Sequence, residues 1–249
     1  MTETSNLPRF FIPVDPDSTP GRDAVIALPA TEAHHAAHVL RLREGNPVEL
    51  FDGRGGVAQG SIEYVRKGEV RVRIDAVHQR QERPLPRLHL AFAVPKGRRL
   101  DWLLEKATEL GAASLEPVRF ERSVAGPDDL SGARRERWLG HCIAAAKQAR
   151  LDFLPDLAPP AALAHFAAMM RPGIYGHVGR GALPVTEAVA RLGQVQAISI
   201  LIGPEGGLTE DERALLDRAG LIAVRLGRTV LRVETASLAL LAAVQSLWD

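Results

Sequence analysis

Between residues 24 and 77, apolar positions alternate with polar ones in short runs. Val48-Glu49-Leu50-Phe51 leads into Asp52-Gly53-Arg54-Gly55-Gly56, and Ser61-Ile62-Glu63-Tyr64-Val65 precedes Lys67-Gly68. Val70-Arg71-Val72-Arg73-Ile74 alternates without a break. A period of two, cut by glycine turns at about ten-residue spacing, predicts a small antiparallel barrel. One helix interrupts it, with Thr31 as its N-cap and Ala33, Ala36, Ala37 and Leu40 at helical spacing. The stretch from Gln79 to Pro86 is polar and carries two prolines, as a linker does.

After Pro86 the rhythm changes. Leu88 to Ala93 reads as a strand, Leu100 to Leu110 as an amphipathic helix ended by Gly111, and Leu115 to Phe120 as the next strand. A long helix is predicted over Arg134 to Ala149. Ala197 to Ile202 (strand), Thr209 to Ala219 (helix), Ile222 to Leu226 (strand) and Ala236 to Trp248 (helix) follow. Alternation of strand and helix implies a parallel sheet covered on both faces. Thr209 and Glu212 have capping-box spacing, which starts a helix directly after a glycine loop. The region from Pro155 to Leu192 gives no clear pattern. The expected division is therefore a barrel over 1–78, a linker over 79–86, and an α/β domain over 87–249.

Composition narrows the class without naming a partner. With 249 residues, 46% hydrophobic and 24% charged, the chain is an ordinary globular one with ample core. No apolar run reaches the length of a membrane span. Residues 1–6 lack the basic start and apolar core of a secretory signal, and Cys142 is the single cysteine. These features lead to the expectation of a cytoplasmic protein with no membrane anchor. Net charge is +1, but lysine occurs only at Lys67, Lys96, Lys106 and Lys147, so arginine supplies the rest of the 31 basic residues. Arginine suits phosphate because its planar fork donates paired hydrogen bonds; a codon bias explains the global excess equally well.

Two glycine-rich segments carry the candidate chemistry. Leu201-Ile202-Gly203-Pro204-Glu205-Gly206-Gly207 and the run from Leu226-Gly227 to Thr235-Ala236 each follow an apolar segment and open into a helix. Ligands of open α/β sheets bind at the carboxyl edge of the strands, where both loops are expected to lie. The first segment lacks a P-loop ending, and no Gly-x-Gly-x-x-Gly follows a strand, so nucleotide hydrolysis and a dinucleotide site are both disfavoured. Either segment alone could be a tight turn with no ligand. Together their backbones could hydrogen-bond the edge of a flat heterocycle such as adenine.

Arg232 and Glu234 stand two apart and, in extended chain, face the same way. They could stabilise negative charge and take a proton, or simply pair at a strand edge. Arg41 and Arg43 alternate with leucine after His38, and Lys96, Arg98 and Arg99 cluster between a strand and a helix. Such clusters suit nucleic acid, or plain solvated surface. His34, His35 and His38 invite a metal, yet no zincin glutamate or cysteine cluster accompanies them, so no metal site is expected. Cys142, Trp102 and Trp138 read as packing residues.

Taken together, Arg9-Phe10-Phe11, His38-Val39-Leu40-Arg41, Lys96-Gly97, Glu105 to Gly111, Glu121-Arg122-Ser123, Leu201 to Gly207 and Leu226 to Thr235 make a specific pattern. In order and spacing the chain resembles, nearly end to end, the bacterial 16S ribosomal RNA uridine N3-methyltransferase family of the SPOUT class. The resemblance implies a PUA-like β-barrel followed by an α/β SPOUT domain with a C-terminal trefoil knot, a homodimer, and S-adenosylmethionine as methyl donor. It places the cofactor on Ile202, Gly203, Pro204, Glu205 and Gly206 of the first loop. On the second it implicates Leu226, Gly227, Val230, Leu231, Thr235 and Ala236. In the reaction that it implies, Arg232 or another arginine at this edge is expected to stabilise the anion and Glu234 to orient the base or take the proton, with 16S ribosomal RNA of the small subunit held by Arg9, Arg41, Arg43, Lys96, Arg98, Arg99 and Arg122. Where the family often has Gly-Arg after the long helix, this chain reads Gln148-Ala149-Arg150-Leu151-Asp152. A different RNA target or a non-catalytic assembly factor are the alternatives.

Overall fold

The computed structural model describes residues 7–14, 20–66, 68–78, 80–123, 130, 132–169 and 172–248. Lys67 and Gln79, expected in a turn and at the linker's start, lie outside these. The chain divides into two units, Met1–Arg83 with Ala146–Leu154, and Pro84–Ala145 with Pro155–Asp249.

The first unit contains strands β1 (Arg9–Phe11), β2 (Val25–Ala27), β3 (Pro47–Phe51), β4 (Val57–Arg66) and β5 (Glu69–Val77), in the sheet order β1-β3-β4-β5-β2. Period two is plain in β5: Val70, Val72 and Ile74 are buried, while Glu69, Arg71, Arg73 and Asp75 face solvent. Their buried face joins Phe10, Val48, Leu50 and Ile62 in one core. The sheet departs from the antiparallel expectation at one pair, because β1 runs parallel to β3. The long connection between them carries a helix, which is what parallel pairing requires.

That helix, α1 (Ala30–His34), has Pro29 at its N-cap and no capping side chain, so Thr31 sits inside the first turn instead of capping it. It widens into a π-helical turn, His35–Val39. Beyond it Arg41 adopts left-handed backbone with φ 53°. Residues Ala146–Leu154 complete this unit although they stand far along the chain. Lys147 donates to both carboxylate oxygens of Glu32, at 3.0 and 2.9 Å. The amides of Gly55 and Leu154 donate to Asp152 and Gly53 across the same junction, each at 2.9 Å. The expected division at 78 and 86 does not contain this segment, since no local periodicity marks it.

The second unit alternates as expected. Its first half runs β6 (Arg87–Ala93), α2 (Arg98–Glu109), β7 (Ser114–Arg119), α3 (Gly132–Ala149), β8 (Asp156–Leu157), β9 (Ala161–Ala162) and α4 (Leu163–Ala168). Helix α3 enters the first unit at Ala146. Then come β10 (Gly173–Gly176), β11 (Leu183–Pro184), α5 (Val185–Leu192), β12 (Ala197–Ile202), α6 (Glu210–Arg218), β13 (Ile222–Arg225) and α7 (Val233–Gln245).

The strands form a sheet in the order β11-β13-β10-β12-β6-β7-β8, with β9 also on β7, and every pairing is parallel. Central strands β6 and β12 are buried along nearly their whole length, as parallel strands covered on both faces must be. Helix α7 packs on both and against α2. Parallel register brings the carboxyl ends of β6, β7, β10, β12 and β13 to one edge. Among the described residues, no helix is long and apolar enough to cross a membrane.

Trp138 and Cys142 are buried on α3, and burial pushes the Cys142 thiol up to about 11. Trp102 is not a packing residue: it is 45% exposed on α2.

Candidate functional site

The first glycine loop begins where β12 ends. A side chain at Gly203 would put its Cβ 2.7 Å from Leu208 Cδ2, so Leu208 would have to shift to admit one. The Gly207 amide donates to the Pro204 carbonyl at 2.8 Å, and Gly207 takes φ +74°, which closes the turn. Helix α6 then starts on the predicted capping box: Glu212 N–H donates to Thr209 Oγ1 at 3.3 Å, and Thr209 N–H donates to Glu212 Oε2 at 2.8 Å. Glu121-Arg122-Ser123, at the end of β7, abuts this loop. Arg122 donates to the Gly206 carbonyl at 3.0 Å, and Glu212 accepts from the Glu121 amide at 2.8 Å.

The second loop, after β13, is not the direct neighbour of the first in the sheet. Strand β10 lies between β12 and β13, and its end, Gly176-His177-Val178, fills the gap. The His177 amide donates to Val224 O at 2.8 Å, and burial lowers the imidazole pKa below its ordinary value. The three segments wall one cleft. Ile202, Gly203, Pro204 and Glu205 line one side, and Leu226, Gly227, Val230, Leu231 and Ala236 the other. Gly206 and Thr235 do not line it; Gly206 faces Arg122, and Thr235 is exposed on α7.

Thr229 and Val233 of the second loop line it as well, and so do Gly176, His177 and Val178, which sequence reasoning missed. The run Gly176 to Gly181 after the apolar pair Ile174-Tyr175 was the available signal. Val178 and Val230 are 69% and 75% exposed, so large apolar side chains stand uncovered at this cleft. Apolar walls with backbone edges fit a flat heterocycle bearing polar edge atoms.

A second cleft lies across Pro204 and Glu205, which line both. Lys96, Arg99 and Ser123 line its remaining polar wall. Arg99 Nη1 stands 3.7 Å from Glu205 Oε1 and 3.7 Å from Glu234 Oε1.

Glu234 is 6% exposed, and its Oε2 is buried without a hydrogen-bond partner among the described residues. The extended stretch on which Arg232 and Glu234 would face the same way does not form. Helix α7 starts at Val233, three residues earlier than predicted, so Arg232 is the exposed N-cap and Glu234 the buried first turn. The carboxylate lies where the helix dipole favours negative charge.

Of the cationic residues expected on RNA, Arg41, Arg43, Lys96, Arg98 and Arg122 are exposed, and Arg99 is half-buried. Arg9 is a correction. It is 6% exposed, lies over the Phe51 ring at 4.4 Å, and pairs with Glu49 at 3.0 Å and with Asp152. A guanidinium enclosed in this way has no face left for a phosphate. Arg150 is likewise held inside the first unit, donating to Leu7 O at 3.1 Å with φ 58°. His34 and His38 stack at 4.7 Å, and no group of three potential metal ligands occurs among the described residues.

The comparisons with known proteins agree along nearly the whole chain. The family described as RNA methyltransferase domain matches residues 81–245, and the one described as RNA methyltransferase PUA domain matches residues 28–75. Ribosomal RNA small subunit methyltransferase E of Mycobacterium bovis is 34% identical, over 94% of this chain and 92% of that protein. A methyltransferase of Legionella pneumophila, solved with the bound cofactor SAM, superposes with TM-score 0.83 at 30% identity, covering 96% of this chain and 97% of that one. The ribosomal RNA small subunit methyltransferase E of Neisseria gonorrhoeae, bound to S-adenosylmethionine, gives 0.82 at 29% identity, covering 97% and 98%. By its two matched domains and its full-length likeness to small-subunit methyltransferase E, this chain belongs to the RNA methyltransferase family.

Proposed function

We propose that the chain methylates N3 of a uridine in 16S ribosomal RNA of the small subunit, using S-adenosylmethionine, in the cytoplasm. The observation that carries this reading is the meeting of two backbone-rich loops across the end of β10 in one apolar cleft. The relatives named above, two of them solved with that cofactor, support it. Ile202 to Glu205 and Leu226 to Leu231 would hold the adenosyl moiety by backbone hydrogen bonds and apolar contact. Bound there, S-adenosylmethionine supplies an electrophilic sulfonium methyl group.

The uridine must leave its pairing for N3 to be reached. In the second unit exposed Lys96, Arg98, Arg122 and Arg232 suit phosphate contacts, and in the first unit exposed Arg41 and Arg43 suit RNA backbone contacts of their own. Glu234 is buried at the start of α7, with its Oε1 3.7 Å from Arg99 Nη1. Within the SPOUT class reading, β10 to α7 thread into a trefoil knot. Exposed Trp102, with Leu247 at 44%, offers apolar surface for a second copy. Calorimetry with S-adenosylmethionine, light scattering for a two-chain mass, and mass mapping of methylated nucleosides in ribosomal RNA from cells with and without the protein test this. If N3-methyluridine is present at equal levels in both, the proposal is wrong.

A further inference from the structure

The cleft across Pro204 and Glu205 is separate from the apolar one, and its polar wall is built differently. It gathers Lys96, Arg99 and Ser123 on one wall, where the cofactor cleft is lined mainly by glycine and apolar side chains, with His177, Arg225 and Thr229 among them. The half-buried Arg99 forms part of that wall and is anchored from behind. At 3.7 Å its contacts to Glu205 and Glu234 hold charge to charge but exceed hydrogen-bonding distance. Among the described residues, no hydrogen bond occupies its guanidinium. Ser123 Oγ accepts from the Phe120 amide at 3.0 Å, which leaves its hydroxyl proton to give. Glu234 lines neither cleft; it is buried with Oε2 unpartnered among the described residues, and its Oε1 faces Arg99 Nη1 at 3.7 Å.

We infer that this second cleft is the subsite for the target base, that Arg99 is a catalytic residue donating to a carbonyl beside N3, and that Glu234 is the positioning residue holding Arg99. The inference rests on the methyltransferase reading above and deepens it. In the proposed transfer the N3 proton passes to solvent and the imide nitrogen takes the methyl group, the sulfonium sulfur keeping the electron pair of the broken C–S bond; before transfer the negative charge is spread onto the two flanking carbonyl oxygens. Preorganised donors aimed at those oxygens stabilise the anion most where charge develops. Arg99 and Ser123 are donors of this kind, and Lys96 beside them suits the adjoining phosphate. Cytosine would turn an amino group toward one donor, so the wall favours uracil.

The test uses the full-length chain with small-subunit ribosomal RNA. Arg99→Ala is expected to bind S-adenosylmethionine within threefold of wild type by calorimetry. It should slow single-turnover transfer at neutral pH by about 10²–10³. Its rate should then climb with pH, as the imide ionises without help, and Arg99→Lys should recover part of the loss. Glu234→Gln should change the rate and its pH profile in the same direction.

Cofactor-free protein offers a reading independent of turnover. RNA carrying 4-thiouridine is expected to cross-link, on irradiation, to the segments 94–99 or 120–123. Wild-type rate and unchanged pH profile in Arg99→Ala, or cross-links confined to the first unit, would overturn the subsite while leaving the methyltransferase intact. Loss of cofactor binding in Arg99→Ala would also overturn it, by moving Arg99 to the cofactor loop. Failure of the wild-type protein to make N3-methyluridine would instead remove the reading on which the subsite rests.

Discussion

Arg9 and Arg99 carry the same charge and opposite duties, and burial alone separates them. Arg9 is enclosed by Glu49, Asp152 and the Phe51 ring, so its charge is matched inside the fold. Arg99 is half-buried between two carboxylates that it does not hydrogen-bond, so its donors remain available on a cleft wall. Nothing in the sequence distinguished them, because residue type reports charge but not its surroundings. Gly227 tests the cofactor cleft at this scale. A Cβ there meets nothing within 4 Å and the backbone is not left-handed, so a larger side chain is tolerated by the fold. Gly227→Val is expected to leave the melting temperature nearly unchanged. In calorimetry it should weaken S-adenosylmethionine about tenfold or more, since the new side chain occupies ligand space. Unchanged affinity would mean that the donor lies elsewhere.

Elements whose ends are set by local chemistry were legible from residues alone. Strand β12 spans the predicted Ala197–Ile202, and α6 starts on the box formed by Thr209 and Glu212. Thr209→Ala is therefore expected to cost about 1 kcal/mol, read as a lower denaturation midpoint, and to loosen the glycine loop that α6 anchors. Elements whose ends are set by packing were misread. Helix α7 starts at Val233 because Val233 and Glu234 are drawn into the interior beside Ser237 and Leu240. A propensity reading delayed that start to Ala236 and left Arg232 and Glu234 extended. The π-helical turn at His35–Val39, and the left-handed Arg41 after it, had no signature in spacing either. Strand β10 has four residues and weak periodicity, so its place in the cleft emerged only from pairing with β12 and β13.

At the scale of the whole chain, RNA binding by exposed arginines in both units predicts a steep salt dependence. Log affinity should fall linearly with log salt, and Arg41→Ala with Arg43→Ala should flatten that slope by about one to two, near one for each phosphate no longer neutralised. An equal slope in the double variant would exclude these residues from the phosphate-binding surface.

Sequence by itself determined the alternation of strand and helix, the change of rhythm near Pro84, the two glycine loops and the family, because each is written in local pattern or in ordered motifs. Only tertiary structure decided that residues 146–154 complete the first unit, that β10 stands between the two loops, and which arginines are spent and which are free. Those outcomes depend on contacts between residues far apart in the chain, and no local window of sequence contains both partners.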